Sequence, residues 1–174
     1  MIEGKGAWHP QAPSAVPYLK GWPAPDPMKN DDLCRVKKAF VDATLHADRA
    51  GFDTIQIHMA HGYLLHQFLS PITNRRSDQY GGDLNSRMRY PLEIFEAVRA
   101  AFPSEKPVMV RLSATDWIEG GWDIEQSIEF CRALKKLGCD MVDVSSGGLD
   151  QAQKIITGPG YQTDLSQRIR SESG

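Results

Sequence analysis

Apolar residues recur along this chain with two alternating spacings, which predict helices and strands in turn. Steps of three and four residues mark apolar helix faces, and alternation with polar residues marks strands. Helices are predicted to begin at Asn30 or Asp31, at Pro91, at Asp123 and, for a short last helix, near Asp164. Strands are predicted at 52–58, 108–113 and 141–144. This repeated strand and helix order indicates a parallel α/β fold.

The predicted helix boundaries rest on capping residues and on proline. Asn30 or Asp31 provides a side-chain cap at the first helix, and Gly51 provides its left-handed stop. Pro91 suits a first helical turn, where its missing N–H costs little, and Asp123 suits the cap of the following helix.

Prolines dominate the first thirty residues and block both helix and central strand there. They lie at Pro10, Pro13, Pro17, Pro23, Pro25 and Pro27. The segment is therefore predicted to be extended and on the surface, as a linker or a disordered arm. We divide the chain into this proline-rich segment, 1–30, and a folded domain, 31–174.

Composition narrows the classes of function. The chain has 174 residues, 41% hydrophobic and 24% charged, with a formal net charge of −2. Scattered basic residues give no electrostatic case for nucleic-acid binding, and no apolar run of membrane-spanning length or signal pattern is seen. Cys34, Cys131 and Cys139 form an odd set without a CxxC motif. A cytoplasmic protein without nucleic-acid or membrane partners is expected.

Candidate chemistry is concentrated at the end of the strand 52–58. His58, His61 and Tyr63 follow one another within six residues, where α/β folds place active sites. If Met59–Leu65 turns helically, both imidazoles can face one cavity and donate hydrogen bonds to one developing oxyanion, while the phenol delivers a proton.

Two other interpretations of the histidines stay open. They can be satisfied structural residues, or they can belong to a zinc site. The zinc interpretation lacks a clear third ligand, because His66 is predicted to lie on the opposite face, and there is no HExxH motif.

Opposite charges crowd the loop that follows. They are Arg75, Arg76, Asp78, Arg87 and Arg89, and the Gly81–Gly82 pair lies among them. The loop can bind an anion, or the charges can form a buried salt-bridge network that pins it, which is the interpretation that we prefer. Further along, Arg111 lies between apolar neighbours on the strand 108–113, and an inward guanidinium needs an anionic partner such as Asp143.

Several segments together resemble the old yellow enzyme family of FMN-dependent NAD(P)H:ene reductases. The run IHMAHGYLLHQFLSPITNRRSDQYGG is similar to its signature segment, and PVMVRLSATDW, DMVDVSSGG and GPGYQ follow in the family's order. The His-x-x-His-Gly-Tyr form resembles the thermophilic-like branch and its fungal relatives. The resemblance covers nearly the whole chain from about Ala7 onward.

The resemblance implies a (β/α)8 TIM barrel, of which this chain is a fragment. A complete barrel needs about 250 residues. By resemblance the chain begins after the third strand and stops before the seventh, and so covers roughly the middle strands. The proline-rich segment then corresponds to the family's long loop after the third strand.

The resemblance also implies roles for the site residues. His58 and His61 match the pair that holds the acceptor's oxygen above the flavin, so His58 also lies at the cofactor. Tyr63 matches the proton donor, and Arg111 matches the arginine that contacts the flavin ring. The implied cofactors are FMN and NAD(P)H, the substrate is an electrophilic alkene such as an enone or nitroalkene, and a homo-oligomer is expected.

Two rival functions are kept. The first is a truncated, catalytically silent barrel fragment that acts only through association, helped by exposed sheet edges. The second is a metal-dependent hydrolase. Flavin content of the purified chain tests the first rival, and metal analysis with chelator sensitivity tests the second.

Overall fold

A computed structural model describes residues 9–174 as a parallel α/β unit. The elements in chain order are β1 (Gln11–Ala12), β2 (Asp26–Pro27), α1 (Asn30–Arg49), β3 (Ile55–Met59), α2 (Leu64–Leu69), α3 (Leu84–Ala101), β4 (Val108–Ser113), α4 (Ile124–Lys136), β5 (Met141–Ser145) and α5 (Thr163–Ser173). The sheet contains β3, β4 and β5 in that order, all parallel, with helices as the crossovers. The predicted α/β class is confirmed.

The two faces of the sheet differ in their surroundings. The helix-facing side carries β-branched and other apolar residues that are almost fully buried: Ile57, Met59, Val108, Val110 and Leu112. They pack against aromatic and aliphatic residues of the helices, namely Phe68, Ile94, Phe95, Ile128 and Phe130. The opposite side is polar and open: His58, Arg111 and Asp143 lie side by side in register across it.

The first helix begins where predicted but is capped differently. Its N-cap is Lys29, and the Asp32 carboxylate accepts a hydrogen bond from the Lys29 N–H at 3.0 Å. The predicted cap by Asn30 or Asp31 is therefore wrong, since the acidic residue reaches back from inside the first turn. This hydrogen bond, followed by those from the Gln11 and Arg35 side chains, lowers the pKa of Asp32 to about 2.

Two other boundaries also differ from the prediction. Helix α3 begins at Leu84, where the Asp83 carboxylate accepts a hydrogen bond from the Ser86 N–H at 2.9 Å, so that Pro91 lies inside the helix. The Asp83 cap starts the helix two turns before the proline. Strand β3 begins at Ile55, because the chain leaving α1 keeps Phe52 on the surface, 59% exposed.

The proline-rich segment is packed against the domain over residues 9–30. The Arg76 guanidinium donates to the Pro13 carbonyl at 3.1 Å and to the Met28 carbonyl at 2.7 Å. The Arg75 N–H donates to Ser14 Oγ at 2.8 Å, and Met28 is buried. These contacts favour a packed loop over a free linker. Residues 1–8 of the predicted segment lie outside the described residues, and the division at residue 30 stays a prediction.

Within residues 9–174, no helix has the length and apolar character needed to cross a membrane.

Candidate active site

The three residues predicted to carry chemistry lie together at the carboxyl end of β3. The ring centroids of His58 and His61 are 5.3 Å apart, with the planes at 65°. The Tyr63 ring lies 5.0 Å from that of His58, and its side chain is 63% exposed. All three side chains therefore lie beside one another above the polar face of the sheet.

The path that brings the two imidazoles together is not the predicted helical turn. Met59 still belongs to β3, and α2 starts only at Leu64. Between them, His61 has φ +57° and Gly62 has φ +74°. A left-handed conformation is uncommon for a residue with a side chain and persists only where surrounding contacts hold it.

Two serines from neighbouring strands hold His61 in this conformation. The His61 N–H donates to Ser113 Oγ at 3.0 Å, and the Ser113 hydroxyl donates to the Gly147 carbonyl at 2.9 Å. His61 Nε2 lies 2.6 Å from Ser145 Oγ. The sequence had placed Ser145 in a pocket floor, but it did not identify either serine as a partner of His61. Each lies at the carboxyl end of a predicted strand, which is the position that could have pointed to it.

A close approach of two glycines packs the turn against the loop after β5. A Cβ on Gly62 would lie 3.1 Å from the Gly148 carbonyl carbon and closer still to its oxygen. A Cβ on Gly148 would lie 2.6 Å from the His61 Cα. The segment 145–148 after β5 thus contacts the histidine turn directly, and only glycine fits at both positions.

Arg111 lies on the neighbouring strand, in register with His58. Its Nε is 3.2 Å from Asp143 Oδ2, so that the two side chains form an ion pair as predicted. That Nε is nevertheless buried without an aligned hydrogen-bond partner among the described residues. The guanidinium is paired in charge but retains capacity to donate hydrogen bonds.

Both imidazoles are held in an environment that favours their neutral form. Partial burial, followed by the positive charge of Arg111, lowers the pKa of His58 below its usual value. The same two causes, with His58 added, lower the pKa of His61. A neutral imidazole carries no charge and offers one N–H donor and one acceptor.

The arginines of the following loop mainly donate hydrogen bonds to backbone carbonyl groups. Arg87 Nε donates to the Leu69 carbonyl at 2.8 Å, and Arg89 Nε donates to the Gln79 carbonyl at 3.0 Å. Arg76 forms an ion pair with Asp78, the one ion pair among the five charged residues singled out in the sequence. The preferred prediction of a structural role agrees with these contacts, but carbonyl groups rather than a salt-bridge network pin the loop.

The zinc interpretation gains no support from the described part of the chain. It contains no group of three or more His, Cys, Asp or Glu side chains placed to hold a metal ion. His66 does not join His58, His61 and Tyr63 above the sheet, since its side chain is fully buried beneath the turn.

An apolar cleft of about 270 Å³ lies beside the histidine turn. Residues of the proline-rich segment, among them Tyr18 and Trp22, face Gly62 and Leu149 across it. His58, His61 and Tyr63 do not line this cleft. The chemistry-bearing residues instead face the open side of the sheet.

Comparison with known proteins gives a consistent assignment. The chain matches the NADH:flavin oxidoreductase / NADH oxidase family over residues 9–169. It is 44% identical to an NADH:flavin oxidoreductase of Gibberella zeae over 94% of this chain and 43% of that protein. It is 41% identical to an NADPH dehydrogenase of Geobacillus thermodenitrificans over 94% of this chain and 47% of that protein. The chain thus spans about half the length of the relatives it matches.

Solved structures extend the comparison to the fold. The old yellow enzyme homologue from Zymomonas mobilis superimposes with a TM-score of 0.76 and 31% identity, covering 95% of this chain and 48% of that one. The fold is therefore part of a TIM barrel, as predicted, with three adjacent parallel strands present. FMN and NAD(P)H, the predicted cofactors, agree with the names of the family and of its NADPH dehydrogenase members. The match over residues 9–169, together with the strand-end histidines, shows that this chain belongs to the NADH:flavin oxidoreductase family, the family of old yellow enzyme.

Proposed function

We propose that this chain supplies the acceptor-binding half of an FMN-dependent ene reductase, which passes hydride from NAD(P)H to the activated C=C bond of an enone or nitroalkene. The observation that carries the proposal is the His58–His61 pair, with ring centroids 5.3 Å apart, beside Arg111 on the next strand. Two donors beside a cation suit an acceptor whose oxygen gains negative charge during reduction.

Arg111 is the residue of this chain that fits a flavin best. Its Nε is buried and lacks an aligned hydrogen-bond partner among residues 9–174. Asp143 offsets the positive charge of the guanidinium only in part, since both side chains are about two-fifths exposed. A guanidinium there would hold the flavin ring and stabilise its reduced, anionic form. His58, one strand away in register, would lie at the same cofactor. When bound, FMN would supply the hydride chemistry, taking hydride from NAD(P)H and giving it to the alkene.

The protein groups then orient and polarise the acceptor. Neutral His58 and His61 would each donate a hydrogen bond to the carbonyl or nitro oxygen, which withdraws electron density from the alkene. For His61 the donor would be Nδ1–H, with Nε2 accepting from the Ser145 hydroxyl. Because the lowered pKa values keep both rings neutral near pH 7, they can bind an oxygen without placing two positive charges beside each other. Tyr63, exposed at the rim and 5.0 Å from the His58 ring, would deliver the proton to the other alkene carbon.

A second function is favoured by a separate observation. Within the described residues, β3 and β5 are the outer strands and each is paired on one side only, while the polar face of the sheet is open. A catalytically silent fragment that acts through association, including association of two copies, fits these features.

The visible absorbance spectrum of the purified chain, before and after FMN addition and gel filtration, separates the two functions. Retained flavin absorbance, followed by enone-dependent NADPH oxidation, is the result expected of the reductase. A colourless protein that forms oligomers would favour the silent fragment.

Binding of a phenol to the flavin-loaded protein tests the histidine pair itself. The double variant His58→Ala/His61→Ala is expected to lose phenol binding while it keeps its fold, because both side chains that would bind the phenol oxygen are removed. His46→Ala, an exposed histidine of α1, is the matched control and should leave phenol affinity unchanged. Unchanged affinity in the double variant would refute the role assigned to the pair.

A further inference from the structure

A fully buried histidine lies directly beneath the catalytic turn and has no role in the chemistry described above. His66 is the third residue of α2, and its side chain has 0% exposure. It is surrounded by the turn 61–62 on one side and by the loop after β4 on the other. Buried polar groups are nearly always hydrogen-bonded, and both ring nitrogens of His66 have a partner.

The partners of His66 define its tautomer. The Gly62 N–H donates to His66 Nδ1 at 2.9 Å, so that nitrogen carries a lone pair and no proton. His66 Nε2 lies 2.8 Å from Asp116 Oδ1, a carboxylate oxygen that can only accept. The ring is therefore the Nε2–H tautomer, and it connects the Gly62 backbone to Asp116.

Asp116 is a rigid anchor for this connection. It is fully buried, and its Oδ2 accepts hydrogen bonds from the Ser70 hydroxyl at 2.6 Å and from the Trp122 N–H at 2.7 Å. Gly121 packs so closely that an added Cβ would lie 2.8 Å from the same oxygen. The carboxylate cannot move without breaking several buried contacts.

The connection ends at the two residues whose backbone is left-handed. His61 and Gly62 have φ values of +57° and +74°. Gln67, which follows His66, donates through Nε2 to the Gly62 carbonyl at 2.6 Å. Both polar groups of the Gly62 backbone are thus bound by side chains of α2, one of them through the ring that Asp116 holds.

We propose that His66 is a positioning residue, which transmits the fixed position of Asp116 to the His61–Gly62 turn and thereby sets the direction of the His61 imidazole. The functional meaning of that direction rests on the role proposed above for His61, but the positioning itself is a property of this chain alone. Its test therefore requires no bound flavin.

Two isosteric substitutions separate the two halves of the connection. In His66→Asn the side-chain oxygen lies where Nδ1 lay and can still accept from Gly62, while the donor to Asp116 is lost. In His66→Gln the amide reaches the position of Nε2 and can still donate to Asp116, while the acceptor for Gly62 is lost. His46→Gln on the surface of α1 is the matched control.

The readouts are amide hydrogen exchange at Gly62 and the NMR signals of the His61 ring. We expect His66→Gln to speed Gly62 exchange about tenfold and to shift the His61 ring signals, because one hydrogen bond that holds the turn is lost. We expect His66→Asn, which keeps the bond from Gly62 but loses the anchor at Asp116, to shift the His61 ring signals as well and to speed Gly62 exchange by a smaller factor. His46→Gln should leave both readouts near the wild type. A purely structural role would lower the thermal midpoint in both His66 variants without changing either readout at the turn.

Two results would overturn the proposal. The first is Gly62 exchange and His61 signals at their wild-type values in His66→Gln or in His66→Asn. The second is independent of any substitution: long-range proton–nitrogen spectra of the wild type should show His66 protonated at Nε2 alone, and a proton on Nδ1 would exclude the bond from Gly62. Failure of flavin binding or of alkene reduction would leave these results unaffected and would count against the proposed function alone.

Discussion

The close approach of Gly62 to Gly148 makes a prediction whose magnitude can be worked from the structure. In Gly62→Ala the new methyl group would lie 3.1 Å from both the Gly148 carbonyl carbon and the Leu149 Cα, and closer still to the Gly148 oxygen. These are backbone atoms, which cannot swing away as the end of a long side chain could. The substitution should therefore separate the histidine turn from the loop after β5.

Gly120 provides a control with the same φ angle. Both glycines have φ +74°, but a Cβ on Gly120 would meet no other described atom within 4 Å. An alanine in the left-handed region costs about 1–2 kcal/mol at either position. Overpacking adds about 1–3 kcal/mol at Gly62 alone. The difference in unfolding free energy between Gly62→Ala and Gly120→Ala is thus expected to be about 1–3 kcal/mol.

Urea unfolding followed by circular dichroism measures this difference. With a denaturant slope of about 2 kcal/mol per molar urea, the Gly62→Ala midpoint should lie about 0.5–1.5 M below that of Gly120→Ala. Equal midpoints for the two variants would refute the close approach of the two loops. A lower midpoint for Gly120→Ala would refute the reasoning as a whole.

Two more predictions concern protonation and thiol reactivity. Because the folded pKa values of His58 and His61 lie below the usual value of about 6.5, the unfolded chain binds more protons below that pH. The contribution of the two histidines to folding stability is complete above pH 6.5 and is lost as the pH falls toward their folded pKa values. Urea midpoints measured between pH 7 and 5 should therefore decrease less steeply in His58→Gln/His61→Gln than in the wild type. Identical slopes would contradict this. Cys34 is exposed, whereas burial raises the pKa of Cys131 to about 12; mass spectrometry after brief treatment with a thiol reagent should find Cys34 labelled and Cys131 unlabelled, and equal labelling would contradict the fold.

Sequence patterns predicted the elements whose signals are local. Strand β4 has the predicted bounds, because Val108, Val110 and Leu112 alternate with residues of the other face. Helix α4 begins after Asp123, whose carboxylate accepts from the Gln126 N–H at 2.9 Å as a capping aspartate should. In both cases the residues that define the element also make its contacts, so a window of a few positions was sufficient.

The features that the sequence did not reveal depend on distant partners. Pro91 suited a helix start, but Asp83 caps the chain two turns earlier. The left-handed backbone of His61 is unfavourable by itself and depends on Ser113 and Ser145, which lie 52 and 84 positions away in the chain. No local pattern distinguishes such a turn from the helical one that was predicted.

The contacts that hold the histidine turn come from elements that this chain contains. The backbone of His61 is bound by β4, its ring contacts β5, and the neighbouring glycine is bound by α2. The geometry of the proposed acceptor site should therefore form in the chain by itself, whatever completes the barrel. Flavin binding is a separate property, because among the described residues the proposed flavin contacts are Arg111, whose buried Nε lacks an aligned partner, and His58. An assay of histidine geometry and an assay of flavin retention thus test the two halves of the proposed site separately. A chain with the expected His61 geometry but no retained flavin would have a formed acceptor site without a flavin-binding site.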